Sequence, residues 1–319
     1  MRSLSRLAFA TGAMMALVVP ASSQSYPNQS VKMIVPFGAG SITDSLARII
    51  SDKLGGVWKQ SVVVENRPGL PGTTSVAKSD KDGYTLMLTS NGHVIAKTIN
   101  KNVSFDPIAD FAGITRVVEV PFIMMATPDL PAKTLKEFVD LAKKEPGKYN
   151  FSSAGVASTS FLMAEHFRQA AGIELVHVPF KGVPEAVTAV LRGDVAFYMA
   201  PVPDSVEQAA AGKVRMLAIS SPKRHLAVPD VPTFVEAGVP SFRYDTWFGI
   251  MAPAGTPKEV VDKVNADVHA VLKMPDVIER LSKIGSLPSP NSPAEFEALM
   301  KSDMAKYATM LRAAGLEAK

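Results

Sequence analysis

The sequence contains no cysteine in 319 residues, and a whole set of chemistries goes with it. Disulfides, thiolate metal sites, iron–sulfur clusters, a cysteine nucleophile and the lipid-bearing cysteine of a bacterial lipoprotein are excluded together. Net charge is also scarce. The 34 Lys and Arg face 30 Asp and Glu, and the basic residues are scattered, so there is no case for a nucleic-acid partner. Histidine is sparse: His93, His166, His177, His225 and His269 form no H-x-x-x-H pair and stand beside no carboxylate at metal spacing, which argues against zinc. Past the amino terminus every apolar run is broken by charge, Pro or Gly, so no membrane span is expected. No fixed-period repeat or low-complexity tract is present.

What remains is an ordinary globular composition, 47% hydrophobic and 20% charged, long enough for two domains and a core that needs no staple. Residues 1–23 have the pattern of an export signal. Arg2 and Arg6 give a positive start, Leu7 to Val19 an apolar stretch too short for a comfortable span, and Pro20 to Ser23 small side chains for cleavage after Ala21 or Ser23. The expectation is a soluble protein outside the cytoplasmic membrane, with a mature charge lowered by the loss of those two arginines.

The chain after the signal alternates β-branched runs with helical spacing. Strands are expected at 31–35, 61–65, 85–88, 149–152, 175–178, 195–199, 214–219 and 247–251. Helices are expected at 44–54, 135–144, 158–171, 184–191, 260–272, 277–281 and 293–311. This rhythm predicts an α/β fold with parallel sheets and helices on their faces. The last stretch has too few strands for a third sheet, so it returns to cover the first. Two lobes, crossed by the chain near 120–126 and 243–249, enclose a cleft.

Two loops could hold a ligand there. Pro36-Phe37-Gly38-Ala39-Gly40-Ser41-Ile42-Thr43-Asp44 joins a strand to a helix, its glycines allow close backbone approach, and Thr43 or Asp44 can cap the helix. The free N–H groups and dipole of that helix start favour an anion, so the loop is either a carboxylate or phosphate cradle or a plain tight connection. It lacks the Gly-Lys-Ser/Thr of a P-loop, and Thr43 stands where a dinucleotide fingerprint wants its third glycine, although Glu65 sits roughly where a ribose-binding acid would be. The second loop, Ser152-Ser153-Ala154-Gly155-Val156-Ala157-Ser158-Thr159-Ser160, also follows a strand and opens a helix; it is a second polar grip or simply a Ser/Thr-capped helix start. It is no Gly-x-Ser-x-Gly elbow. Asp44 and Arg48 read as a solvated ion pair at i,i+4. His93, in the loop after the third strand, faces the cleft or lies on the surface. The 15 methionines read as core filler, and no set of residues has spacing that demands catalysis.

Several motifs, in order along nearly the whole mature chain, resemble the Bug family of extracytoplasmic solute receptors, associated with tripartite tricarboxylate transporters. They include Pro36-Phe37-x-Ala39-Gly40-x-x-Thr43-Asp44 with Ala47-Arg48, Glu65-Asn66-Arg67-Pro68-Gly69 and Asp82-Gly83-Tyr84-Thr85-Leu86. His177-Val178-Pro179-Phe180-Lys181-Gly182, Leu191-Arg192-Gly193-Asp194-Val195 and Ala211-Gly212-Lys213-Val214-Arg215 follow. Pro229-Asp230-Val231-Pro232-Thr233-Phe234-x-Glu236-Ala237-Gly238 and Ala252-Pro253-Ala254-Gly255-Thr256-Pro257 complete the series. The resemblance implies a type II, Venus-flytrap periplasmic binding protein: signal 1–23, one lobe from 24–123 and 247–319, the other from 124–246.

It further implies no enzyme activity, no cofactor and no metal, a monomer, and a small organic mono- or dicarboxylate as ligand, delivered to a membrane transporter or sensor subunit. Ligand contacts carried over are Phe37, Gly38, Ala39, Gly40, Ser41 and Thr43 of the first loop, with Asn91 and Gly92 after the third strand. In the second lobe they are Ser153, Gly155, Ala157, Ser158, Thr159, Ala200 and Pro201. Gly38 and Ser41 depart from the family pattern, as does Val156-Ala157-Ser158, which bears on the identity of the acid. An exported enzyme using the same cleft, and a ligand-dependent sensor, are the alternatives; turnover of the bound acid and ligand-dependent capture of a membrane protein discriminate them.

Overall fold

The computed structural model describes residues 26–319 except 156, 157, 243, 245, 314, 316, 318 and 319. The expected signal at 1–23 and the candidate contact Ala157 lie outside the described residues.

Two sheets organise the chain. The first opens with β1 (Val31–Val35), whose alternation buries all but Lys32, then α1 (Ile42–Trp58), β2 (Val62–Asn66), α2 (Leu70–Ala77) and β3 (Thr85–Ser90). A 3-10 turn (Asn91–Ile95) and α3 (Ala96–Ile99) lead to β4 (Phe111–Glu119). The second sheet holds β5 (Phe122–Ala126), β6 (Asn150–Ser153), β7 (Val176–Pro179), β8 (Phe197–Pro201) and β9 (Arg215–Ile219). Its helices are α4 (Leu135–Lys144), α5 (Thr159–Ala171), α6 (Val183–Leu191) and α7 (Val202–Ala210). The chain then rejoins the first sheet through β10 (Trp247–Pro253), α8 (Lys258–Val271), α9 (Pro275–Lys283), β11 (Leu287–Pro288) and α10 (Pro293–Ala313).

The strand orders are β11-β4-β10-β3-β1-β2 and β7-β6-β8-β5-β9. The sheets are mixed rather than purely parallel. β1 runs parallel to β2 and β3, and β6 to β7 and β8, as strand–helix–strand units must. β5 and β10 run antiparallel to both neighbours. These are the two strands that arrive directly from the other sheet. Each enters at the end facing the partner lobe and must run away from it. The carboxyl ends of the parallel strands in both sheets therefore face each other, and the cleft lies between them.

β5 forms where the sequence suggested only a crossing near 120–126, and β4 precedes it in a stretch where no strand was expected. Phe111 to Ala126 is a largely apolar stretch, broken within β4 by Arg116 and Glu119, and the parts on either side of Val120-Pro121 join different sheets. Helices α2 and α7 were also not expected. Both carry Pro in the first turn, which reads as a breaker yet costs nothing there, because the first N–H groups of a helix have no internal partner.

β10 is buried along its whole length at the centre of the first lobe. Helix α10 lies on it so closely that a Cβ at Gly249 would stand 2.2 Å from Cζ of Phe296, and one at Gly113 in β4 would stand 2.8 Å from Cε of Met300. The indole N–H of Trp247 donates to the buried carboxylate of Asp303 at 2.7 Å, tying the same helix to the strand. Helix α10 also reaches the second lobe: the Gln169 side-chain amide of α5 donates to the Met310 carbonyl at 2.8 Å.

Candidate functional site

The loop from β1 to α1 is held from below by a buried carboxylate. Asp44 was read as half of a solvated ion pair, but it is only 4% exposed and accepts three hydrogen bonds. The Gly40 N–H reaches it at 3.0 Å, the Asn66 side-chain amide at 3.0 Å and Arg48 Nε at 3.1 Å, while Arg48 Nη2 stands 3.0 Å away as an ion pair and donates to the Asn66 side-chain oxygen at 3.2 Å. Burial works to raise the Asp44 pKa, yet these hydrogen bonds and the Arg48 charge outweigh it and hold the carboxyl below its ordinary range. Asn66 also donates to the Phe37 carbonyl at 3.2 Å, so β2 fixes both ends of the loop. Gly40 has φ +80°, a left-handed conformation that an L side chain resists.

The cap of α1 is Ser41 rather than Thr43 or Asp44: its Oγ accepts the Asp44 N–H at 3.2 Å. Asp44 is turned back onto Gly40 by its arginine, and Thr43 is buried. The amides of Ile42 and Thr43 have no hydrogen-bond partner among the described residues, as expected of a first helical turn.

Above this loop lies a cavity of about 660 Å³ that both lobes line. That size suits a small-molecule ligand. From the first lobe come Phe37, Gly38, Ala39, Gly40, Ser41, Ile42, Ser45 and Ile284. From the second come Ala154 and the beginnings of α6 and α7, namely Lys181 to Pro184, Pro201, Pro203 and Asp204, with Val187, Glu207 and Gln208 further along. Neither α6 nor α7 has a side-chain cap on its first amides. Three helix starts thus border one space, and their dipoles favour negative charge in it.

Of the residues singled out from sequence, Phe37, Gly38, Ala39, Gly40, Ser41 and Pro201 line this cavity. Thr43, Asn91, Gly92, Ser153, Gly155, Ser158, Thr159 and Ala200 are not among its lining. Asn91 is fully buried at the junction of the lobes, where it donates to the hydroxyls of Tyr244 at 2.7 Å and Tyr307 at 3.3 Å and accepts from Thr159 at 3.0 Å. Ala200 is buried in β8 opposite Ile123. The hydroxyl-rich second loop is bonded to itself. Ser158 donates to the Gly155 carbonyl at 2.6 Å and caps α5, while Ser153 pairs with His177 Nε2 at 2.6 Å and accepts the Gly155 N–H. His93 lies in the core, not in the cleft or on the surface, with Nε2 on the Pro107 carbonyl at 2.8 Å.

The α6 and α7 wall was missed by sequence reasoning, apart from Pro201. Its signal was present as Gly182-Val183-Pro184 and Pro201-Val202-Pro203, each a Pro in a first turn just after a strand, at the carboxyl end where α/β sheets gather ligands.

A family model described as the tripartite tricarboxylate transporter family receptor matches residues 46–316. The chain belongs to that family. Its members are receptors rather than enzymes. BugT of Bordetella pertussis is 31% identical over 308 residues, covering 95% of this chain and 94% of its own, so the resemblance to the Bug receptors holds. A protein of R. palustris solved with adipate has 31% identity and a TM-score of 0.82, covering 91% of this chain and 98% of that one. MatC of Rhodopseudomonas palustris, solved with malate, has 30% identity and a TM-score of 0.79, covering 90% and 100%. The receptor fold of two lobes around a cleft is thereby shared across nearly the full length. No helix among the described residues is long and apolar enough to cross a membrane, and no group of three His, Asp or Glu there could hold a metal ion.

Proposed function

We propose that this receptor captures a small organic carboxylate between its lobes, in the periplasm, and presents it as a monomer to the membrane subunits of a tripartite transporter. The observation that carries the reading is the single cavity bordered by the starts of α1, α6 and α7. In it the carboxylate lies against the Gly38 to Thr43 backbone, with the Ser41 hydroxyl, whose oxygen already accepts from Asp44, donating its own proton to the anion. Asn91, Gly92, Ser153, Gly155, Ser158, Thr159 and Ala200 act from behind, shaping the closed form. Residues 24–123 and 247–319 move as one lobe and 124–246 as the other, after removal of 1–23. The adipate and malate of the two relatives are carboxylates of the size this cavity admits.

Neutral amides suit this task. Closure removes water and strengthens each contact to the anion without burying a counter-cation. The test is a thermal-shift screen over aliphatic and aromatic mono- and dicarboxylic acids, followed by calorimetry. A ligand at 100 times its Kd should stabilise the protein by about 2.7 kcal/mol, a clear rise in melting temperature. A screen in which no acid raises it would sink the proposal.

A further inference from the structure

At the edge of the cavity the two lobes touch through a glycine and a proline. Gly285 follows the last turn of α9 in a left-handed conformation, φ +64°, and its N–H donates to the Ser282 carbonyl at 2.9 Å. A Cβ added there would stand 2.6 Å from Cδ of Pro203, 3.0 Å from its Cγ and 3.4 Å from Cβ of Val202, both residues in the first turn of α7 in the other lobe. Ile284, next to Gly285, lines the cavity, and so does Pro203. Both sides of this contact are stiff. Just beyond Gly285, β11 pairs with β4 beside the chain crossing, Leu287 opposite Glu119 and Pro288 opposite Val118. Val202 is buried in an apolar cluster with Ile123, Ile219, Val228 and Val231. The ring of Pro203 is closed onto its own backbone and cannot swing aside. The contact is also purely van der Waals. Thr159 and Gln169 of α5 reach the first lobe by hydrogen bonds, whereas among the described residues none joins Ile284, Gly285 or Ser286 to α7. Such a contact can part and re-form without stranding a buried polar group.

Resting on the carboxylate-receptor reading, we infer that Gly285 is a positioning residue for specificity: seated against Pro203, it stops the closing lobes and so sets the length of acid that the closed cavity holds. Gly285 acts through the lobe position and not by touching the ligand. Only glycine lets the two turns come this close. A methyl group there meets the proline ring, and the lobes relieve the clash by parting about an ångström, because carbon atoms settle at about 3.5–4.0 Å. Parted lobes hold the Gly38 to Thr43 backbone further from the α6 and α7 wall. A short acid then no longer spans the gap, and a longer one does.

Calorimetry on the purified protein with unbranched mono- and dicarboxylic acids of increasing length tests this. The unaltered protein should show a best-fitting length. In Gly285→Ala that length should increase by about one methylene, with the original best acid losing roughly tenfold in affinity. Adding Pro203→Ala should cancel the shift, so that the double variant prefers the same length as Pro203→Ala alone. Removing the ring removes the clash, but it would not cure backbone strain from an alanine at a positive φ. A uniform loss across the series, a shift that persists in the double variant, or an unaltered protein indifferent to length would overturn the inference while leaving a carboxylate receptor intact. So would a Gly285→Ala chain that does not fold, since the seam would then be fixed core and not a stop that the lobes can leave. If no acid binds the unaltered protein, the receptor reading itself falls, and this inference with it.

Discussion

The Thr159 hydroxyl donates to the side-chain carbonyl of Asn91 at 3.0 Å, joining the first residue of α5 in one lobe to the turn that follows β3 in the other. Both residues are buried, and the Asn91 amide is engaged by Tyr244 and Tyr307. Thr159→Val preserves volume but leaves the Asn91 oxygen buried without a donor. The expected cost is about 1–3 kcal/mol, read as a lower denaturant midpoint. An unchanged midpoint would show that water or a rearranged amide replaces the hydroxyl.

Asp44 is the keystone of the first loop. Asp44→Asn keeps the shape but weakens acceptance from Gly40 and the bond and ion pair from Arg48. Affinity for any carboxylate should fall at least tenfold, because the loop amides are no longer fixed, and hydrogen exchange at Gly40 should quicken. The stability loss should be about 1.5–3 kcal/mol, the range for a hydrogen bond to a charged group. Wild-type affinity in the variant would mean that the loop orders itself on ligand.

A buried histidine, His93, and a half-buried one, His177, set a pH dependence. Burial pushes both His93 and His177 down to about 4, and the Pro107 carbonyl and Asp106 offset this only in part for His93. A histidine whose folded pKa lies below its unfolded value binds its proton more readily in the unfolded chain, so stability is full above the unfolded value of about 6.5 and falls as the pH drops toward 4. The His93 contribution is on the order of 3 kcal/mol at most. Urea midpoints measured from neutral pH to pH 4.5 should decline, and His93→Gln should flatten part of the slope. A flat profile would mean that neither ring is held neutral by burial.

Gly249→Ala should destabilise by about 1–3 kcal/mol through overpacking against Phe296, measured by thermal or urea unfolding. Combining it with Phe296→Leu should recover part of the loss. If the pair loses the sum of the two single effects, the glycine serves something other than ring clearance.

How far the sequence speaks is clear from particular elements. β1 and α1 were readable because Val31, Met33 and Val35 alternate and because Leu46, Ile49, Ile50 and Leu54 share a helical face. The loop between them was readable from its glycines as a tight strand-to-helix connection with room for a ligand, and it lines the cavity. Its support was not, because Asn66 lies 22 residues beyond Asp44 in sequence and meets it only once β2 pairs with β1. β4 escaped notice because Gly113, Arg116 and Glu119 interrupt its apolar pattern, although Arg116 and Glu119 pair with each other at its end. The far wall escaped for a different reason. Which side chains of α6 and α7 meet the first loop depends on how one lobe faces the other, and local spacing carries no record of that.

The seam between α10 and its sheet leaves a methyl group no space at Gly249, where the Phe296 ring fills the room, and little at Gly113, where Met300 and the edge of the same ring close in. Among relatives, positions 113, 249 and 296 should therefore covary, a bulkier residue at one accompanied by a smaller one at another. A mutant library that varies these sites singly would return few folded clones, while one that varies them jointly would uncover alternative solutions to the same fit.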